Sequence, residues 1–341
     1  MPGSRRARDL GLVPSPGVTG EANAITDVDG VSVGQVTIRR EPDVHSGVTA
    51  IVPAGIGPDA PVSAGVHVGN GFGKLIGHTQ LAELGRLESP VVLTSTLSAF
   101  RAADAVVEWM LSKPRWSRVT TFNPVVGECN DGYLSDIRSR PVQSQDVITA
   151  LENARGGPVE AGCVGAGTGT GALGLKAGIG TASRVLEVDG HTYTLGGLVQ
   201  ANFGGRLRLA GHIVEPPKPS PPDVGSCMLV LATDASLTSR QLNRLSARAV
   251  FGLGRLGASY SHGSGDYGIA FATTAGGACV GDEQLDAFFT ATLDLVEEMV
   301  LDSLITAKTT FGHKGRSLTA LTELPQWPAI VDTVSSTRRD R

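Results

Sequence analysis

The chain has 341 residues, 41% of them hydrophobic and 18% charged, with 45 glycines. That composition buries a core. The glycine excess (45 of 341, about 13% against ~7% in average usage) follows no G-x-y period, which excludes collagen and points to tight turns and close backbone approaches. With 29 basic against 33 acidic residues, a net charge of −4 and no Lys/Arg-rich run away from the termini, no nucleic-acid partner is expected.

The first 17 residues lack the roughly 7–15-residue apolar core of an export signal, and no apolar stretch reaches the ~18 residues that span a bilayer. The expectation is a cytoplasmic protein without a membrane partner. Gly30-Val-Ser32-Val-Gly34 matches the G-x-S-x-G pattern of a nucleophile elbow. That elbow needs a buried strand before it and a helix after it, whereas Thr26-Asp-Val-Asp29 precedes and Gln35-Val-Thr-Ile38 follows. A hairpin turn is expected there, with an ordinary Ser-His-Asp hydrolase centred on Ser32 as the weaker alternative.

Gly47 to Val52, Pro90 to Thr94 and Tyr193 to Val199 read as short strands. Ser98 opens a helix in which Phe100, Val106, Val107, Met110 and Leu111 approximate one stripe, stopped by Pro114. Ser144 caps a shorter helix carrying Val147, Ile148 and Leu151, closed by Gly156-Gly157. Residues 156–182 read as glycine-rich turns between short strands. Within them Gly169-Thr-Gly171-Ala-Leu-Gly174 matches G-x-G-x-x-G, with Glu187 at a tolerable distance for a ribose contact. No hydrophobic strand leads into the first glycine, and glycines continue at Gly178 and Gly180. Compact turns are the stronger reading; a nucleotide held by segment 162–180 is the alternative, and it would make the chain a non-catalytic or nucleotide-binding protein.

Residues 214–223 hold five prolines and read as an extended, exposed connector. Cys227 to Ala232 is a continuous apolar run that fits a strand buried on both faces. Thr238 with Gln241 forms a capping-box pattern before Leu242, Leu245 and Ala249. A glycine-rich loop then leads to a second apolar run, Ile269 to Ala272. The last long helix begins near Asp282-Glu283 and carries Leu285, Phe288, Phe289, Leu293, Val296, Val300 and Leu304. Pro325 to Arg341 is expected to fray. The length allows one large domain or two smaller ones, and a sheet core with flanking helices is the architecture the elements support. Cys129, Cys163, Cys227 and Cys279 stand singly, and none of the seven histidines pairs at i, i+4 around a carboxylate. Neither a metal nor a disulfide framework is expected, and the thiols read as reduced and buried.

The junction Gly225-Ser226, between the connector and the buried run, carries the most chemistry. A serine hydroxyl is a poor nucleophile until a base sits beside it, and a serine at a chain terminus has its own α-amine as that base. Such an amine titrates near ~7.7–8.0, suited to accept a proton at neutral pH. The design requires cutting the peptide bond before the serine, and a glycine on the acyl side lets that bond take up the geometry of attack.

Motifs in order along the chain carry a resemblance. They include Arg6-Ala-Arg-Asp-Leu-Gly11, Asn23-Ala-Ile-Thr-Asp-Val28, Asp131-Gly-Tyr-Leu134, Gly165-Ala-Gly-Thr-Gly169, Gly178 to Arg184, Val199-Gln-Ala-Asn-Phe-Gly204, Gly225-Ser226 and Ser264-Gly-Asp266. From about Arg5 to about Ala320 the chain resembles the DmpA family of self-processing aminopeptidases, which includes L-aminopeptidase/D-Ala-esterase/amidases, β-peptidyl aminopeptidases and, more distantly, nylon-oligomer hydrolases. The resemblance implies an α/β (α+β) fold, an αββα sandwich like that of N-terminal-nucleophile hydrolases but differently connected. It also implies a single domain cut into an α chain, 1–225, and a β chain, 226–341. Carried over by residue, Ser226 is the nucleophile, its freed amine the base, Ser264 and Asp266 the partners of that amine, and Asn202 the donor to the oxyanion. Tyr133 is placed to position substrate or donate to the same oxygen, and Lys176 matches a lysine of the nylon-hydrolase branch. Glu128-Cys129-Asn130 matches neither main branch. The implied partners are a short peptide, amide or ester substrate and further copies of the chain, in a tetramer of αβ units. No cofactor is implied.

Overall fold

The computed structural model describes residues 5–15, 17–209, 211–217, 225–274 and 280–339. Its strands are of two kinds. β1 (Val31–Arg40) and β3 (Val62–Gly71) alternate buried with exposed positions, whereas β2 (Val44–Pro53), β4 (Val91–Ser95) and β5 (Val125–Cys129) are buried almost throughout. β6 (Ile179–Val188) and β7 (His191–Gln200) form a long hairpin, and β8 (Ser226–Thr233) and β9 (Gly265–Ala272) are buried at every position. The fully buried strands take the middle of two sheets and the alternating ones sit toward the edges, as burial on two faces requires. One sheet runs β1-β2-β4-β5 and ends on the short strand Leu75–Ile76; the other runs β6-β7-β8-β9-β3 and ends on Arg86–Leu87.

Each sheet contains one parallel pair, β4 with β5 and β8 with β9. Parallel neighbours need a crossover, which a helix supplies. Helix α1 (Ala99–Leu111) crosses from β4 to β5, joined on its layer by α2 (Ser144–Glu152). Helix α3 (Ser239–Gly252) crosses from β8 to β9, joined by α4 (Leu285–Ile305). Both crossovers lie on the outer face of their sheet, so the layers are αββα. Alternation along β8 shows it: Cys227, Leu229 and Leu231 pack with α3 and α4, while Met228, Val230 and Ala232 pack against Ile51, Leu93 and Val125 of the other sheet. The approach of α4 to β6 depends on Gly180, where a Cβ would lie 1.8 Å from the Met299 carbonyl oxygen. A buried ionic cluster ties the N-terminal segment to α4: Arg8 and Arg184 pair with Glu298, and Arg6 with Asp302.

Several expectations change. The reversal expected at Gly30–Gly34 comes later, at 41–43, because β1 runs unbroken from Val31 to Arg40. Ser32 therefore sits within an extended strand opposite Val52, not on a strand-to-helix elbow. Phe100 and Leu111 are 68% and 52% exposed; the buried face of α1 is the small-residue one, Ala99, Ala102, Ala105, Val106 and Met110, which lets helix and sheet approach closely. Gln143, not Ser144, is the N-cap of α2, its backbone N–H donating to Asp146 Oδ2 at 2.8 Å. Segment 156–182 holds the expected turns, but its end is the start of the ten-residue β6. The C-terminal stretch is a helix, Trp327–Arg339, seated through Leu324 and Ile330. The capping box at Thr238 is present, with Thr238 N–H donating to Gln241 Oε1 at 2.9 Å. Of the connector, residues 218–223 lie outside the described residues, as does Cys279; Cys129, Cys163 and Cys227 are buried and unbridged. Among the described residues no helix is long and apolar enough to cross a membrane.

Candidate active site

The apolar pattern of β8 buries its first residue as well as its centre, so Ser226 is only 3% exposed. Its backbone N–H donates to the Asn202 carbonyl at 2.5 Å, its carbonyl accepts from Cys129 Sγ at 3.0 Å, and its Oγ donates to the Gly225 carbonyl oxygen at 2.8 Å. The hydroxyl thus lies on the peptide group that precedes it. Glycine is required at position 225 by a wall: a Cβ would lie 2.6 Å from Asn202 O and 3.0 Å from Phe203 Cα.

The parallel register sets Ser226 opposite Gly265 and Cys227 opposite Asp266. Asp266 is buried at the head of β9 and accepts from Ser264 Oγ at 2.8 Å through Oδ1. Its other oxygen, Oδ2, is buried and has no partner among the described residues. Burial raises the Asp266 carboxyl above its ordinary value, and the Ser264 hydroxyl opposes that rise.

Asn202 stands two residues beyond the end of β7. Its Nδ2 donates to Asn130 O at 3.2 Å and its Oδ1 accepts from Gly171 N–H at 3.2 Å, so one of its two amide hydrogens is committed. The glycine-rich segment before β6 braces it: Leu173 N–H donates to Phe203 O at 2.8 Å, and Ala201 N–H to Gly178 O at 3.0 Å. Lys176, wholly buried, holds that segment together. Its Nζ donates to Gly167 O (3.3 Å), Thr170 O (2.8 Å) and Ala177 O. Burial pulls the Lys176 ammonium below its ordinary value, against the neighbouring Cys163. The structure therefore brings Ser226, Asn202, Ser264 and Asp266 into one neighbourhood. It gives the Lys176 amine carbonyl partners in the supporting loop. The Tyr133 ring lies under the Arg316 guanidinium at 5.3 Å, and the Asn202 amide bonds to the carbonyl of Asn130. The G-x-G-x-x-G loop closes as a tight hairpin, Gly171–Ala172 with Leu175–Lys176, and no helix opens on it, which removes the dinucleotide reading.

Two buried carboxylates were not among the sequence candidates. Glu128, on β5 opposite Thr94, accepts from Lys74 N–H at 2.8 Å and from Thr96 Oγ1. A Cβ on Gly73 would lie 3.3 Å from its Oε1 and 3.2 Å from Gly265 Cα, which puts Glu128 at the Ser226 end of the sheets. Asp131 accepts from Ser46 Oγ at 2.7 Å and Ser95 Oγ at 2.8 Å, and burial pushes its carboxyl up to about 6 against those hydroxyls. The available signal was chain position: both acids adjoin the family motif at 131–134, but their hydroxyl partners come from other strands.

A buried serine heading a central strand, an amide beside it and an αββα order of layers give the molecule the plan of an Ntn-hydrolase fold. The chain belongs to Peptidase family S58, whose profile matches residues 23–318. It is similar to the beta-peptidyl aminopeptidase BapA of Sphingosinicella microcystinivorans, at 39% identity over 93% of this chain and 89% of the relative. Among solved structures it is similar to the PH0078 protein of Pyrococcus horikoshii OT3 (38% identity, 99% of this chain and 100% of that one, TM-score 0.87). It is likewise similar to the L-aminopeptidase D-Ala-esterase/amidase of Ochrobactrum anthropi, a prototype of the serine aminopeptidases and a variant of the Ntn hydrolase fold (39% identity, 98% of each chain, TM-score 0.86). The chain is accordingly a serine aminopeptidase/amidase, a hydrolase of peptide bonds.

Proposed function

We propose that the chain cuts itself between Gly225 and Ser226 and that the freed Ser226 then removes N-terminal residues from short peptides, amides or esters through a seryl ester. The supporting observation is the orphaned oxygen of Asp266, a buried carboxylate oxygen one register step from the nucleophile without a partner among the described residues. Such a group costs stability unless a cation or donor meets it. Cutting before Ser226 creates an ammonium there.

In the first step Ser226 Oγ turns from the Gly225 oxygen onto the Gly225 carbonyl carbon. The C–O bond forms, the C–N bond breaks, and the nitrogen takes the hydroxyl proton. Water then hydrolyses the ester, leaving a carboxylate on Gly225 and a free amine on Ser226. In turnover that amine takes the Oγ proton as Oγ attacks the substrate carbonyl, and it delivers the proton to the leaving nitrogen. The uncommitted hydrogen of Asn202 Nδ2 donates to the oxyanion. Ser264 and Asp266 orient the amine and favour its charged form, Lys176 holds the loop that braces Asn202, and Tyr133 lines the approach. The substrate's own ammonium needs an anion, and Glu128 is the buried carboxylate at the correct end of the sheets.

Substrates led by a β-amino or an L-α-amino residue are both supported by the relatives' activities. The single domain, made of chains 1–225 and 226–341, is read as one protomer of a homo-oligomer. The unbridged buried cysteines support a reducing, cytoplasmic setting. N-terminal sequencing of the purified protein tests the reading: a smaller band beginning Ser226-Cys227-Met228 is expected. A Ser226→Ala protein should run as one band at 35.2 kDa. Cleavage in that variant, or an active wild type that is undivided, overturns the proposal.

A further inference from the structure

Four consecutive hydrogen bonds lead away from the nucleophile to the surface. Ser226 N–H donates to Asn202 O, Asn202 Nδ2 to Asn130 O, Gly132 N–H to Asn130 Oδ1, and Arg316 Nη1 to Gly132 O at 3.4 Å. Arg316 is exposed, its guanidinium lies 5.3 Å from the centre of the Tyr133 ring, and among the described residues no carboxylate pairs with it. Arg206 has Glu215 and Arg240 has Asp282, whereas Arg86, Arg118 and Arg208, like Arg316, have no ion pair among the described residues.

The element carrying Arg316 is held firmly in place. Thr310–Phe311 pairs with Ser317–Leu318, Gly312 N–H donates to Arg316 O at 2.8 Å, and His313 N–H donates to Leu134 O at 2.8 Å. Gly312 is pressed onto the turn at 131–135 so closely that a Cβ would lie 2.3 Å from Leu134 O. His313 Nδ1 is 2.8 Å from Asp43 Oδ1, so the one acid bonded to this hairpin is engaged elsewhere. The result is a cation on a braced hairpin, with donors to spare beyond its bond to Gly132 and the Tyr133 ring beside it.

We propose that Arg316 is a specificity residue that binds the free carboxylate at the C-terminal end of a short peptide substrate, on the leaving-group side of the scissile bond. This rests on the hydrolase reading above. Guanidinium and carboxylate match as a planar fork, and a Tyr face beneath the fork limits the freedom lost on binding. The preference is modest, because the pair stays exposed to water.

The test uses the processed protein and one peptide sequence in two forms, free acid and C-terminal amide. Wild type should show kcat/KM about three- to tenfold higher for the acid, through KM. Arg316→Gln should bring the ratio to about one, and Arg316→Lys should restore part of it. A role confined to bracing the 131–135 turn would lower both substrates in proportion and leave the ratio alone. Hydrolysis of both forms at equal efficiency by wild type, or an unchanged ratio in Arg316→Gln, overturns this inference while leaving the hydrolase reading intact. A wild type that stays uncut and hydrolyses neither form overturns both.

Discussion

At the scale of single residues, Asn202 has two groups in use: its carbonyl anchors the Ser226 N–H, and its side-chain amide, bonded to Asn130 O, is the proposed donor to the oxyanion. Asn202→Ala keeps the first and deletes the second. Removing one oxyanion donor costs roughly 10²–10³ in kcat, so steady-state kinetics of the variant should show that loss with KM little changed. A comparable rise in KM with kcat preserved would assign the amide to substrate binding instead. Ser226, Asn202 and Asp266 were named as candidates from the sequence because each stands in a motif that carries the family resemblance. Glu128 was not: a lone acid in a five-residue apolar run gives no local sign that Lys74 and Thr96, far off in sequence, will satisfy it. At Gly225 the packed chain adds a second ground for glycine, steric room beside Asn202.

Elements whose signal is local read true from sequence. The apolar run of β8 and the Thr238–Gln241 box are examples, because burial on both faces and a cap are each written within a few residues. β3, with the sequence VSAGVHVGNG, carries no such local signal, since its exposed positions and glycines conceal a strand whose partner, β9, lies far along the chain. Helix α4 makes the opposite point. It looks like an ordinary buried helix, yet Glu298 on it is fully buried and pairs with Arg8 and Arg184, with Asn23 Nδ2 donating to it at 2.7 Å. Those partners hold its carboxyl below the ordinary range despite the burial that opposes them. Glu298→Gln leaves two guanidinium groups without their anion. Breaking a buried pair costs about 3–5 kcal/mol, so the midpoint of denaturant unfolding should fall accordingly, while Glu297→Gln on the same helix should change little. Equal midpoints for Glu298→Gln and wild type would refute the clamp.

Across the whole molecule, two carboxyls in separate regions share one unusual property. Asp131, braced by Ser46 and Ser95, and Asp302, beside Arg6, are both pushed up to about 6 by burial. In the unfolded chain such groups titrate near ~3.9. Between roughly pH 4 and 6 the folded state therefore binds more protons than the unfolded one, so the contribution of these two groups is fully present below pH ~4 and is lost as pH rises through about 6. Each shift of about two units corresponds to on the order of 2–3 kcal/mol over the full window. Glu298 works in the opposite sense, its contribution being lost as pH falls below the ordinary carboxylate range. Urea unfolding of the uncut Ser226→Ala chain should accordingly give higher stability at pH 5 than at pH 7.5. Adding Asp131→Asn, an amide of the same shape whose two serine partners can rotate their hydroxyls to suit it, should make that slope shallower, leaving the part due to Asp302 and to the other carboxyls raised by burial, Asp234, Asp266 and Glu297. If the slope is the same with and without Asp131→Asn, the carboxyl at the hinge between β2, β4 and the 131–135 turn is already ionised well below pH 6, and its serine partners outweigh its burial.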